Sequence, residues 1–238
     1  YANTTASYNT ALGWESLNSN TTGENNSAVG YRSLWSNTTG DYNTALGNDA
    51  LYSNTTGDYN TAVGADSLQA NTTGYSNTAT GYKSLEANTT GYYNTASGTS
   101  ALKVNTTGSF GTSSGVASLE ANTTGDYNSA FGYVALYKNT TGDNNTAIGT
   151  SALFNNVTGS NNTALGWEAG NDSTGSGNVF LGYRAGRSET GSNKLYISNS
   201  NTSTPLIYGD FSTGALTFGS GGDGTGAIQI ATSGTRNI

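Results

Sequence analysis

Apolar residues in this chain do not form long runs; they recur singly at fixed intervals. The stretch "NTTGDYNTALGNDALYSNTTGDYNTAVG", from Asn37 to Gly64, states one polar–apolar phrase twice. A Thr-Ala-aliphatic-Gly segment is followed by a leucine and then by Asn-Thr-Thr-Gly. The glycine after the aliphatic residue falls at Gly13, Gly30, Gly47 and Gly64 and keeps a 17-residue step to Gly166, from which a 16-residue step reaches Gly182. A leucine keeps the same beat at Leu17, Leu34, Leu51 and Leu68 and on to Leu153. An unbroken period of this kind marks a repeat architecture.

The contents of one unit select its type. Seventeen residues are too few for the helix pairs of α-solenoids, whose units run to about 33 residues or more. Two glycines and an Asn-Thr-Thr in each unit also oppose helix. Asn-Thr-Ala-aliphatic-Gly instead predicts a short strand, in which Thr and the aliphatic residue share one face while Asn and Ala share the other. Asn-Thr-Thr-Gly predicts the corner, with glycine supplying positive φ and asparagine bonding locally to the backbone. The expected fold is all-β: a parallel β-solenoid of about ten coils over residues 1–191, stacked about 4.8 Å apart into a rod on the order of 50 Å long. Stacked twins can form amide and hydroxyl ladders. Leu17, Leu34 and Leu51 are expected in one inward column. Because each coil offers few apolar residues, an obligate homo-oligomer is expected, with the alanine column (Ala11, Ala28, Ala45, Ala62, Ala79, Ala96) letting neighbouring chains approach closely.

One stretch departs from the beat. The aliphatic site holds Leu12, Val29, Leu46 and Val63, turns to Thr80, Ser97 and Ser114, and recovers as Phe131 and Ile148. In the third of these coils Gly111 replaces the strand asparagine and Ser113 the alanine. A buried hydroxyl must find partners, so these coils are expected to hold a hydrated core and to form a weak segment. From Asn178 the period loosens. Four strand-like runs follow, at Lys194–Ser198, Pro205–Tyr208, Ala215–Phe218 and Ala227–Ala231, and residues 192–238 are expected to form a C-terminal cap or neck.

Composition narrows the function. Only 10% of residues are charged and 33% hydrophobic, yet 16 tyrosines, 6 phenylalanines and 3 tryptophans recur at set phases, which argues for order rather than disorder. The net charge of −7 and the scattered lysines and arginines leave no basic stripe for nucleic acid. No apolar run reaches the roughly 18 residues of a membrane helix. The chain has no histidine and no cysteine, which excludes nucleophile–histidine pairs and zinc sites with nitrogen or sulfur ligands. No catalytic residue, cofactor or metal is expected.

Four features carry candidate chemistry. Asp41 and Asp58, and likewise Asp126 and Asp143, share a phase in adjacent coils, as a glycosidase pair would need, but like charges on a solvated corner are the simpler reading. "GSGGDGTGAIQI" has the Gly-Asp character of calcium-binding repeats but occurs once, as a turn would. The glycosylation sequon Asn-X-Thr recurs at Asn3, Asn20, Asn37, Asn54, Asn71, Asn88, Asn105, Asn122, Asn139 and Asn156; its residues either build the corner or carry a column of sugars on an outward turn. Tyr8, Tyr42, Tyr59, Tyr93 and Tyr127 precede the strand asparagine, while Trp14, Tyr31, Tyr82, Tyr133 and Trp167 follow the strand glycine. These rings either lock coil to coil or, with the threonine array, offer a surface to glycans or ice.

"YNTALGWESLNSNTTG", from Tyr8, resembles the head repeats of trimeric autotransporter adhesins. "GSNKLYISNSNTSTPLIYGDFSTG", from Gly191 to Gly214, is similar to the segment that follows such repeats in bacterial and phage tail-fibre-like proteins. The resemblance implies a left-handed parallel β-roll, trimeric, extracellular, on a cell surface or virion, and used as a fibre or adhesin. The coil here is longer than in that family, and Thr10, Thr44 and Thr61 stand where its strand carries valine. The expected function is a non-enzymatic, stiff rod for display or attachment, with copies of itself and a surface glycan or host receptor as partners. The rivals are a glycan- or ice-binding module and a polysaccharide-depolymerising tailspike.

Overall fold

A computed structural model describes residues 5–219. Within them the chain forms strands, turns and bends and no helix, so no helix is long and apolar enough to cross a membrane. Eleven three-residue strands carry the period: Thr10–Leu12 (β1), Ser27–Val29 (β2), Thr44–Leu46 (β3), Thr61–Val63 (β4), Thr78–Thr80 (β5) and Thr95–Ser97 (β6), followed by Thr112–Ser114 (β7), Ser129–Phe131 (β8), Thr146–Ile148 (β9), Thr163–Leu165 (β10) and Val179–Leu181 (β11). Each pairs in parallel with the next, and Ala28 opposes Ala45 as Ala45 opposes Ala62. One unit is one coil of a parallel β-solenoid, and coil n is named here for the strand it contains. Lys194–Ile197 (β12) extends the parallel stack, Leu195 opposite Val179. Antiparallel pairing then begins, with Ile207–Asp210 (β13) against β12 and Ala215–Phe218 (β14) against β13. The strand-like run Ala227–Ala231 lies outside the described residues, as does most of the Gly-Asp stretch.

One of the interior's three walls is legible from the sequence pattern. The leucine column is inward as expected: from Leu34 to Leu153 no member is more than 1% exposed. The strand alanines from Ala28 to Ala164 are equally buried, which corrects their expected role. They line each coil's own core and cannot mediate the approach of another chain. The third wall is polar. Strand asparagines (Asn26, Asn43, Asn60) and corner asparagines (Asn37, Asn54, Asn71) are fully buried. Each corner Nδ2 donates to the Oδ1 of the preceding twin, as Asn54 does to Asn37 at 2.8 Å, and to the glycine carbonyl three residues on, as Asn54 does to Gly57 at 2.9 Å. The strand asparagine approaches the same carbonyl from the other side, Asn43 Nδ2 to Gly57 O at 2.8 Å. Burial of an amide is costly unless it is bonded; stacking bonds these almost completely.

The corner glycine has a different cause from the one expected. Gly40 and Gly57 do not have positive φ; a Cβ on Gly57 would meet Gly74 O at 2.3 Å and Asn54 Oδ1 at 2.6 Å. The asparagine ladders leave no room for a side chain. Left-handed backbone falls instead, in coils 1 to 9, on three non-glycine residues per coil, such as Tyr42 (φ 55), Asp49 (φ 51) and Leu51 (φ 52). Alternating hand turns successive peptides up and down the rod. Asp49 N donates back to Tyr31 O at 2.9 Å, while Leu51 N, two residues on, donates forward to Ser67 O at 3.0 Å. Coil-to-coil bonds therefore continue through the turn, offsetting a strain on the order of 1–3 kcal/mol per left-handed residue.

Coil 11 swaps the pattern. Phe180 takes the alanine position and is fully buried, while Gly170 and Gly186 stand where leucine would. A Cβ at Gly170 would lie 2.4 Å from Phe180 Cδ2, and one at Gly186 2.2 Å from Cδ1. One ring fills the space of two leucines.

Candidate binding face

With asparagine and alanine inward, the strand turns threonine and the aliphatic residue outward. Leu46 is 48% exposed and Ile148 41%, although both occupy the most apolar site of the strand. The expectation of a hydrated core in coils 5 to 7 is therefore overturned. Thr80 and Ser97 are exposed and Ser114 half-buried on the outer face, where a hydroxyl loses nothing to water. The buried changes in this stretch are Gly111 and Ser113, and Ser113 Oγ donates to Ser118 O at 2.8 Å.

Rings border this face. Before the strand, Tyr42 stacks on Tyr59 at 5.1 Å and Phe110 on Tyr127 at 4.7 Å. After it, Trp14 stacks on Tyr31 at 5.0 Å and Trp167 on Tyr183 at 5.1 Å. Coil-to-coil locking is thus the role of these pairs, since the coil rise of about 4.8 Å suits offset stacking. Sequence reasoning missed a third column, one residue after the leucine, where Trp35 stacks on Tyr52 at 5.2 Å and Tyr137 on Phe154 at 5.1 Å. The same 17-residue step would have found it. Opposite charges also meet across coils: Arg32 Nη2 donates to Asp49 Oδ2 at 3.1 Å, and Arg184 Nε lies 2.9 Å from Glu168 Oε2.

The other candidates resolve by position. The sequon asparagines Asn20, Asn37, Asn54, Asn71, Asn88, Asn105, Asn122, Asn139 and Asn156 are buried, not outward. The Nδ2 that would carry a sugar is the ladder donor, so the folded coil has no place for one; Asn3 lies outside the described residues. Threonines of the same corner are partnered too, Thr38 Oγ1 donating to Thr55 O at 3.0 Å. Asp41 and Asp58 are joined through the backbone: Asp41 N donates to Asp58 Oδ1 at 2.7 Å, and Asp126 N to Asp143 Oδ1 at 2.8 Å. These carboxylates cap N–H groups of the preceding coil. The surface depression beside Ser188, Glu189, Tyr196 and Thr202 is closed on one side by a bond from Tyr196 Oη to Glu189 Oε2 at 2.7 Å. Burial and that bond both raise the Tyr196 pKa.

No family model, characterised protein or solved structure matches the chain.

Proposed function

We propose that this chain is a structural, non-enzymatic segment of an extracellular fibre or adhesin on a cell or virion surface, and that its work is to hold an exposed face rigidly along a rod. The observation that carries this reading is the single parallel ladder from β1 to β12. Asparagine, aromatic and backbone bonds all run along the rod axis, so bending it strains every column at once. A stiff, regular shaft with function on its outside is what display requires.

Self-association belongs to the same proposal. From coil 8 onward the outward column is continuously apolar, Phe131, Ile148, Leu165 and Leu181, with Tyr133, Trp167 and Tyr183 beside it. Contiguous exposed apolar surface of this kind marks interaction sites, and three copies joined over coils 8 to 11 would cover it. Immunolabelling of the producing cells or particles should decorate surface filaments; label confined to the cell interior would overturn the extracellular reading. Sedimentation should give a three-chain mass that falls to one chain in Leu165→Lys with Leu181→Lys. A folded monomer before any substitution would end the trimer proposal and leave the rod intact.

A further inference from the structure

We propose that coils 5 to 7 carry a binding site for a neutral glycan, laid along the rod axis on the outward face of β5, β6 and β7. Three columns change together in these coils. The outward aliphatic residue becomes Thr80, Ser97 and Ser114, which with Thr78, Thr95 and Thr112 make three rows of paired hydroxyls in strict register. The carboxylate column of Asp41, Asp58, Asp126 and Asp143 is replaced by Tyr75, Tyr92 and Ser109. The tyrosines before the strand gather into a cluster, with Tyr75 stacked on Tyr92 at 5.0 Å and Tyr93 on Phe110 at 5.4 Å.

The hydroxyls are free to bind. None of the six donates to or accepts from the protein, whereas the corner threonines Thr89 and Thr106 of the same coils bond to backbone carbonyls at 3.0 Å. Rows lie about 4.8 Å apart and the paired hydroxyls about two residues, or ~6.6 Å, apart along the strand. A polysaccharide laid along the axis can therefore meet successive rows with successive rings. Tyr82 follows β5 on the far side and is 49% exposed; its neighbours in the column are Ala65 and Thr99, so no ring stacks on it, and the Lys83 ammonium lies over the ring at 5.4 Å. A sugar offers an apolar C–H face to such rings and a rim of hydroxyls to the grid. The charged residues of these coils, Lys83, Glu86, Lys103 and Glu120, lie beyond the glycines that end the strands; Lys83, over the Tyr82 ring, is paired with Glu86 at 2.7 Å. No formal charge stands among the six hydroxyls, and the lysine at their margin is neutralised by Glu86, which selects a neutral ligand.

Two other occupants fit less well. Ice requires a broad flat array, and this one is three rows deep with half-exposed rings on both margins. A second copy of the chain would be met by the aliphatic column, which coils 8 to 11 keep and these coils lose.

The test is retention of the full chain on insoluble cellulose, chitin and starch, with alginate as the acidic comparison and ice-crystal shaping measured alongside. Retention on at least one neutral polysaccharide is expected. It should fall tenfold or more in Thr80→Val with Ser97→Val and in Tyr82→Ala, with melting temperatures unchanged because all three sites are exposed. No retention on the neutral panel, preference for alginate, retention indifferent to these substitutions, or ice shaping that the double variant abolishes would each overturn the proposal.

Discussion

At the scale of the residue, the asparagine is the unit on which this rod depends. Asn88 donates to Asn71 Oδ1 and Gly91 O and accepts from Asn105 Nδ2. Asn88→Ala leaves Asn71 Oδ1 without a donor and takes one of two partners from Gly91 O and Asn105 Nδ2, which keep Asn77 and Gly108, so chemical denaturation should show a loss of about 1–3 kcal/mol or more. The converse case is already present. Strand asparagines accept from the next coil's backbone, as Asn128 Oδ1 does from Asn145 N at 2.9 Å, but Gly111 offers Asn128 nothing. Gly111 has no positive φ, and a Cβ there would meet Asn94 Oδ1 at 2.9 Å and Leu102 Cδ1 at 3.4 Å, so only the end of the Asn94 side chain must give way. Gly111→Asn should therefore stabilise the protein by about 1–3 kcal/mol, read as a higher denaturation midpoint at constant slope. A lower midpoint would mean that coil 7 is built around the gap.

At the scale of the element, coil 11 and the first antiparallel pair show how the stack changes its contents without losing register. Phe180→Ala should cost about 3–5 kcal/mol, because glycines on both sides cannot fill the space. Gly170 has φ 57, close to the φ of 51 at Leu153, so Gly170→Leu alone should clash with Phe180 while the double variant recovers part of the loss. Simple addition of the two penalties would show that ring and glycine are not coupled. Between β12 and β13, Lys194 Nζ lies 2.7 Å from Asp210 Oδ2. The bond from Lys194, then that from Ser212, lowers the Asp210 pKa to about 2, and Asp210 in turn raises that of Lys194. A depressed carboxylate pKa gives stability that is complete above its unfolded value and lost as pH falls through the folded one. Exchange protection at β13 should thus decline between about pH 4 and pH 2, and Lys194→Met should flatten that decline.

At the scale of the whole molecule, continuity matters more than any one coil. Coils 1 to 9 each carry a buried leucine, worth about 1.5–3 kcal/mol of burial, and the corner asparagine ladder runs from coil to coil from Asn20 to Asn156. Replacing the outward aliphatic residue does not touch these columns. Hydrogen exchange in residues 78–100 should accordingly be as slow as in residues 44–64, with any faster exchange centred on Gly111 and Asn128. Uniformly fast exchange from residue 78 onward would restore the hydrated-core reading.

The sequence alone determined the period, the strand in each unit, the parallel stack, the inward leucines and the stacking of rings, because identical residues at one phase must meet their twins. It also showed that coils 5 to 7 differ. It did not determine which strand face is inside. Hydropathy favours burying Thr and the aliphatic residue over burying Asn and Ala, and the fold does the opposite. An asparagine amide inside one isolated coil would be prohibitively unsatisfied; in the stack its partners come from the coils before and after it, as Asn37 Oδ1 and Asn71 Nδ2 do for Asn54. The left-handed leucines and the crowded corner glycines follow from the same packing. Only the tertiary structure decides these, since bonds between residues 17 apart exist once neighbouring coils are in place and nowhere in a single repeat.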